Sequence, residues 1–138
     1  MVNREVIQKR LEKSREYIEF LNNIKDSYSL NEFKDNKMVY GSSERFLHLT
    51  IEALLDMGNH LVSDQDLGNI DSYRDIPKIL HQNDYIDSEQ KEIFIKIIGF
   101  RNILVHDYLD IDKATVYKII KENLSDLTGL LKMYANQL

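Results

Sequence analysis

Residues 101–108 read RNILVHDY, setting an arginine, an asparagine, a histidine and a tyrosine into one of the most apolar stretches of the chain. A charge buried there without a partner is costly, so these side chains need either a hidden partner or a task. Their types suit one chemistry. Arg101 carries a planar, permanently charged fork that matches phosphate oxygens. His106 can give and take protons near neutrality. Without a metal cluster, the two suggest attack on an RNA phosphodiester by its own 2′-hydroxyl. His106 would move protons, and Arg101 would stabilise the charge building on the phosphoryl oxygens. Asn102 could fix the imidazole tautomer, and Tyr108 could hydrogen-bond phosphate or stack on a base. On spacing alone, a structural Arg101 paired with a carboxylate such as Glu52 or Asp56 is the simpler reading.

The element carrying these residues constrains them. EQKEIFIKIIGFRNILVHDYL is a helix apolar nearly all round, hence buried or interface-forming. Phe94, Ile97, Ile98, Leu104, Val105 and Tyr108 share a stripe on it, with Arg101 near the centre, while Asn102 and His106 are stacked neighbours four apart. Arg101 and His106 point roughly 140° apart on an unbroken helix. One chain brings both to a single phosphate only if the helix ends or distorts near His106. A second chain could instead complete the site across a two-fold axis.

The other elements also read as helices. With one proline, five glycines and few alternating strand-like runs, the composition favours helix. Ile7, Leu11, Ser14, Ile18 and Leu21 mark a first helix of about two dozen residues. DSYSLNEFKDN then interrupts it with turn-forming residues. A second helix covers at least Ser43 to Val62, its start blurred by Gly41. Ser72 and Asp75 resemble the start of a short helix carrying Ile76, Ile79 and Leu80, with Pro77 about a turn into it. Asp87 with Gln90 is close to a capping box, and Asp112 caps the last helix, with Ile111 and Val116 spaced as a hydrophobic staple. Four long helices and one short one predict an all-α, up-and-down four-helix bundle, a single domain over 1–138.

Composition narrows the functional class. Absence of cysteine excludes disulfides, thiolate zinc sites and cysteine nucleophiles. The start MVNREVIQKR has no apolar core of a secretory signal, and no window reaches the length of a membrane span. The expectation is a cytoplasmic protein without membrane contact. A net charge of −5 argues against a protein that coats duplex nucleic acid, but not against an enzyme touching a few phosphates in one cleft.

GFRNILVHDYLDID resembles the R-x4-H-x-Y signature of HepT-like toxins in the HEPN superfamily. SERFLHLTIEALLDMGNHLV is similar to that family's second helix and SYRDIPKIL to its short middle helix. The likeness runs from the first helix to the last, and no motif position departs from the pattern. The resemblance implies a dimeric, all-helical ribonuclease working without a cofactor, with Arg101 and His106 catalytic and Asn102 supporting. It also implies a minimal nucleotidyltransferase antitoxin of the MntA type as partner, which attaches AMP to the motif tyrosine, Tyr108.

Other candidates carry less. Glu52, Asp56 and His60 are spaced four apart, as metal ligands on one helix face or as an ordinary polar seam. His48 and His81 read as surface or boundary histidines. Ser42 and Ser43 lack a nucleophile-elbow context, and there is no phosphate-cradling glycine loop. The N-terminal lysines form a solvated face that could also help bind RNA. Three functions therefore stand: a metal-independent endoribonuclease toxin acting as a homodimer, a non-catalytic module that partners and regulates a nucleotidyltransferase, and a helical dimerisation scaffold.

Overall fold

The computed structural model describes residues 4–106 and 111–138. Among the described residues the chain forms six helices and no strand: α1 (Arg4–Ser27), α2 (Leu30–Asp35), α3 (Lys37–Asp64), α4 (Asp75–Gln82), α5 (Ser88–His106) and α6 (Lys113–Ala135). The four long helices form the expected bundle. α3 is its axis and touches all five other helices.

Periodicity accounts for the long helices. In α1, Ile7, Leu11, Ser14, Ile18, Leu21 and Ile24 are buried at steps of three and four, against α3 and α6. In α3 the apolar residues spread over more than one stripe, and Leu47, Ile51, Leu54, Leu55, Met57 and Leu61 are all buried, as an axial helix requires. α6 begins where expected: the Asp112 carboxylate accepts from the Ala114 amide at 3.0 Å and from the Thr115 hydroxyl at 3.1 Å. α5 starts on a reciprocal pair, with Asp87 Oδ1 accepting from the Gln90 amide at 2.8 Å and Gln90 Oε1 from the Asp87 amide at 3.2 Å.

Three expectations change. DSYSLNEFKDN is not only a turn, because it contains α2. Ser29 and Glu32 close a capping box there, and Phe33 anchors the short helix in the core. α3 begins at Lys37 and runs through Gly41, started by the Asn36 side chain accepting from the Val39 amide at 3.2 Å. Finally, α4 begins at Asp75, so Pro77 is its third residue, where its missing N–H sacrifices no intrahelical bond.

Asp75 also fixes the approach to α4. Its carboxylate accepts from the amides of Asp71 at 2.9 Å and Ser72 at 3.0 Å. These two bonds hold its pKa below the usual aspartate value, that from Ser72 most strongly. On its inner side α4 lies close to α3: a Cβ added at Gly58 would stand 2.5 Å from Ile76 Cγ2 and 2.8 Å from the Tyr134 hydroxyl. That hydroxyl donates to the Leu54 carbonyl at 2.9 Å, so α3, α4 and α6 meet around one glycine.

Candidate functional site

α5 packs on α3 and α4, and its packing decides what Arg101 can reach. Phe94, Ile97, Ile98, Phe100 and Leu104 are buried. Arg101 lies within this apolar set, its side chain 14% exposed, and extends to Glu52 on α3. The Arg101 Nε–H donates to Glu52 Oε1 at 2.5 Å. One Nη1–H donates to Asn102 Oδ1 at 3.3 Å. The guanidinium lies over the ring of Tyr73, 4.8 Å from its centroid, and Tyr73 belongs to the turn held by Asp75. His48, one turn before Glu52, places its Nε2 3.3 Å from the same carboxylate oxygen.

This arrangement suits anion binding. A guanidinium has five N–H donors. Two are engaged, and among the described residues the other three meet no acceptor. Nε is committed to the carboxylate and one Nη1–H to Asn102, so the remaining Nη donors could meet a bidentate ligand such as two phosphoryl oxygens. The Tyr73 ring restrains the plane of the fork.

His106 is exposed at the last residue of α5. The helix is continuous from Arg101 to His106, so the two project roughly 140° apart, and the described helix does not turn them to one point. Asn102 lies one turn before His106, but its side-chain oxygen accepts from Arg101; no hydrogen bond joins it to His106 among the described residues. The tautomer-fixing role expected of Asn102 therefore has no bond behind it here. Tyr108 lies outside the described residues.

Glu52, Asp56 and His60 are a polar seam divided between two arginines. Glu52 serves Arg101, while Asp56 accepts from Arg10 Nε on α1 at 2.8 Å and lies 4.0 Å from His60 Nε2. Among the described residues no three His, Asp or Glu side chains gather as a metal-holding group. Between these two pairs is a shallow depression bordered by Arg10, Lys13, Tyr17, Leu49 and both acids, which brings part of the N-terminal basic face next to Glu52. His81 Nδ1 stands 3.2 Å from the Ile86 carbonyl, a boundary position as expected.

Sequence reasoning missed Tyr73, His48 and Arg10. For His48 a signal existed, since it stands one turn before Glu52 on the same helix; Arg10 lies on α1, and only the packing of α1 on α3 brings it to Asp56. Tyr73 carried only the weak signal of an aromatic residue in an otherwise polar turn.

The sequence profile described as Ribonuclease HepT-like matches residues 14–133. The mRNA nuclease HepT of Shewanella oneidensis is 32% identical over 96 residues, spanning 70% of this chain and 72% of that protein. The tRNA nuclease HepT of Aphanizomenon flos-aquae is 28% identical over 117 residues, 83% of this chain and 78% of that one. Among solved structures, a tri-AMPylated Shewanella oneidensis HEPN toxin in complex with MNT antitoxin superposes with a TM-score of 0.86 at 26% identity, covering 99% of both chains. No described helix is long and apolar enough to cross a membrane. With a family profile over most of its length, a relative 32% identical across 70% of it and the same helical architecture, the chain belongs to the HepT-like family.

Proposed function

We propose that this protein is the toxin of a toxin–antitoxin pair, a metal-independent endoribonuclease that acts as a homodimer and is silenced by AMP attached to Tyr108. The observation that carries this reading is the Arg101 guanidinium, held by Glu52 through Nε and by Tyr73 against its face, with three of its N–H donors unmatched among the described residues. The names of the HepT relatives support RNA as substrate, and the AMP-bearing toxin in its antitoxin complex supports a nucleotidyltransferase partner.

In the reaction, the ribose 2′-oxygen forms a bond to phosphorus and the bond from phosphorus to the 5′-oxygen breaks. The 2′-hydroxyl proton passes to a base, and the leaving 5′-oxygen takes a proton. His106 is the group suited to these transfers, and Arg101 to the charge on the non-bridging oxygens. Because α5 sends the two side chains apart, a complete site takes Arg101 from one protomer and His106 from the other. The outward face of α5 supports such pairing: Gly99 has open space around its Cβ position, and Ile103, one turn on, is 43% exposed. AMP on Tyr108, seven residues beyond Arg101, would bring a phosphate that competes for the remaining Nη donors and an adenosine that fills the cleft.

The binding-module reading also has an observation in its favour, since the Arg101–Glu52 pair is what a structural arginine would form. Cleavage of RNA by the purified protein, with and without chelator, separates the two. The nuclease reading expects cleavage in chelator leaving 2′,3′-cyclic phosphate ends. It expects none from Arg101→Ala or His106→Ala proteins that still fold, and little rescue by Arg101→Lys, whose point charge cannot replace the fork. If both alanine variants cleave like the parent, the site is misassigned. If the folded parent cleaves no RNA, the binding module stands. Incubation with the cognate nucleotidyltransferase and ATP should add the mass of AMP units to the parent but not to Tyr108→Phe.

A further inference from the structure

We infer that Glu52 and Tyr73 are positioning residues for the reaction, setting the register and the plane of the Arg101 fork without touching RNA themselves. This rests on the proposed role of Arg101. A carboxylate beside an RNA-binding arginine has two opposite meanings. It competes with phosphate for the guanidinium, or it holds the guanidinium so that phosphate meets a prepared edge. The geometry points to the second. Glu52 takes the Nε–H and leaves the Nη groups to other partners, and its Oε1 also lies 3.3 Å from Nε2 of His48, one turn earlier on α3. His48 thus restrains the carboxylate from within α3 before substrate arrives. Tyr73, from the turn before α4, lies against the guanidinium at 4.8 Å, and that turn is held by the Asp75 carboxylate two residues on. One side chain is therefore located by α3, by the α4 approach and by its own helix. Such location removes the freedom that a flexible arginine would lose on reaching the transition state.

The test is steady-state RNA cleavage by the full-length protein with Glu52→Gln, Glu52→Asp, Tyr73→Leu and Tyr73→Phe. Glu52→Gln removes the charge and keeps the length. The expected result is a kcat lower by about 10- to 100-fold with KM unchanged or lower, since losing a negative charge beside the site does not weaken RNA binding. Tyr73→Leu should lower kcat in the same way, and Tyr73→Phe should recover most of that loss because the ring remains. The Arg101 15Nε–1Hε resonance of the folded Glu52→Gln protein should move towards the position of a solvated arginine, a change that general loosening of the bundle would not confine to that residue. Glu52→Asp should recover part of both signals. A rise in kcat for Glu52→Gln would make Glu52 a competitor of phosphate and overturn the inference, as would a parental kcat in both Glu52→Gln and Tyr73→Leu. Should Glu52→Gln not fold, the Tyr73 pair decides alone. Parental cleavage by Arg101→Ala would instead overturn the assignment of the site, an outcome distinct from the others.

Discussion

The Nε–H of Arg101 on α5 donates to Oε1 of Glu52 on α3 at 2.5 Å, joining two helices across 49 positions of the chain. The partners are unequally covered, the arginine side chain being 14% and the glutamate 35% exposed. That inequality predicts an asymmetric response. Removing Glu52 leaves a poorly hydrated guanidinium without its carboxylate, whereas removing the guanidinium leaves a carboxylate that water can reach. Glu52→Ala should cost about 1–3 kcal/mol of stability. Arg101→Met, which keeps the apolar stem, should stay within about 1 kcal/mol of the parent. Urea denaturation of the two variants side by side checks the order; equal losses would mean that exposure does not govern this pair.

Two glycines of α3 give opposite predictions from one substitution. A Cβ at Gly58 would collide with Ile76 and the Tyr134 hydroxyl, while one at Gly41 would meet nothing within 4 Å. Gly41→Ala should therefore stabilise by about 0.5–1 kcal/mol through helix propensity alone. Gly58→Ala should destabilise by about 1–3 kcal/mol, because α4 must shift to admit the methyl. Thermal melts of both, referenced to the parent, would show midpoints moving in opposite directions.

These contacts also show where the sequence was legible. Bundle and site helix could be read because α1, α3, α5 and α6 are long enough for a 3.6-residue period to repeat, and because the RNILVHDY motif stands out against it. α2 could not, since six residues span fewer than two turns and its single anchor, Phe33, makes no pattern. Glu52 could be named as one of two carboxylate partners because a charged side chain on an apolar face needs one. Choosing it over Asp56 required the relative placement of α3, α5 and α1, which brings Arg10 to Asp56. Tyr73 was out of reach for the same reason: its distance to Arg101 depends on where α4 begins, which local pattern leaves uncertain by several residues.

The Asp75 carboxylate makes the turn before α4 sensitive to acid. Hydrogen bonds from the Ser72 and Asp71 amides lower the folded-state pKa of this carboxylate relative to the unfolded chain. A depressed folded value means that the stabilisation is fully present above the unfolded value, near 3.8, and is lost as pH falls through the folded one. Asp75→Asn should accordingly be less stable than the parent at neutral pH, and the gap should narrow as pH drops below that range. Denaturation midpoints of both proteins across the acid range test this. A gap that stays constant with pH would show that the amide caps as well as the carboxylate and that ionisation is not what holds the turn.

The continuous course of α5 makes the last prediction specific to a shared site. Arg101 and His106 sit five residues apart on one unbroken helix, roughly 140° around its axis. If each site takes Arg101 from one protomer and His106 from the other, an Arg101→Ala chain and a His106→Ala chain are each inactive alone yet complementary. In a heterodimer one site combines the intact arginine of one chain with the intact histidine of the other, and the second site lacks both. Random exchange makes half of the dimers mixed, so the equimolar mixture should regain about a quarter of parental cleavage. Ile103→Glu, which places a charge on the exposed face of α5, should weaken the dimer by light scattering and lower cleavage most at low protein concentration. Subunit exchange without any recovered cleavage would place arginine and histidine of one site on the same chain. The route between them would then have to run through the substrate rather than across the two-fold axis.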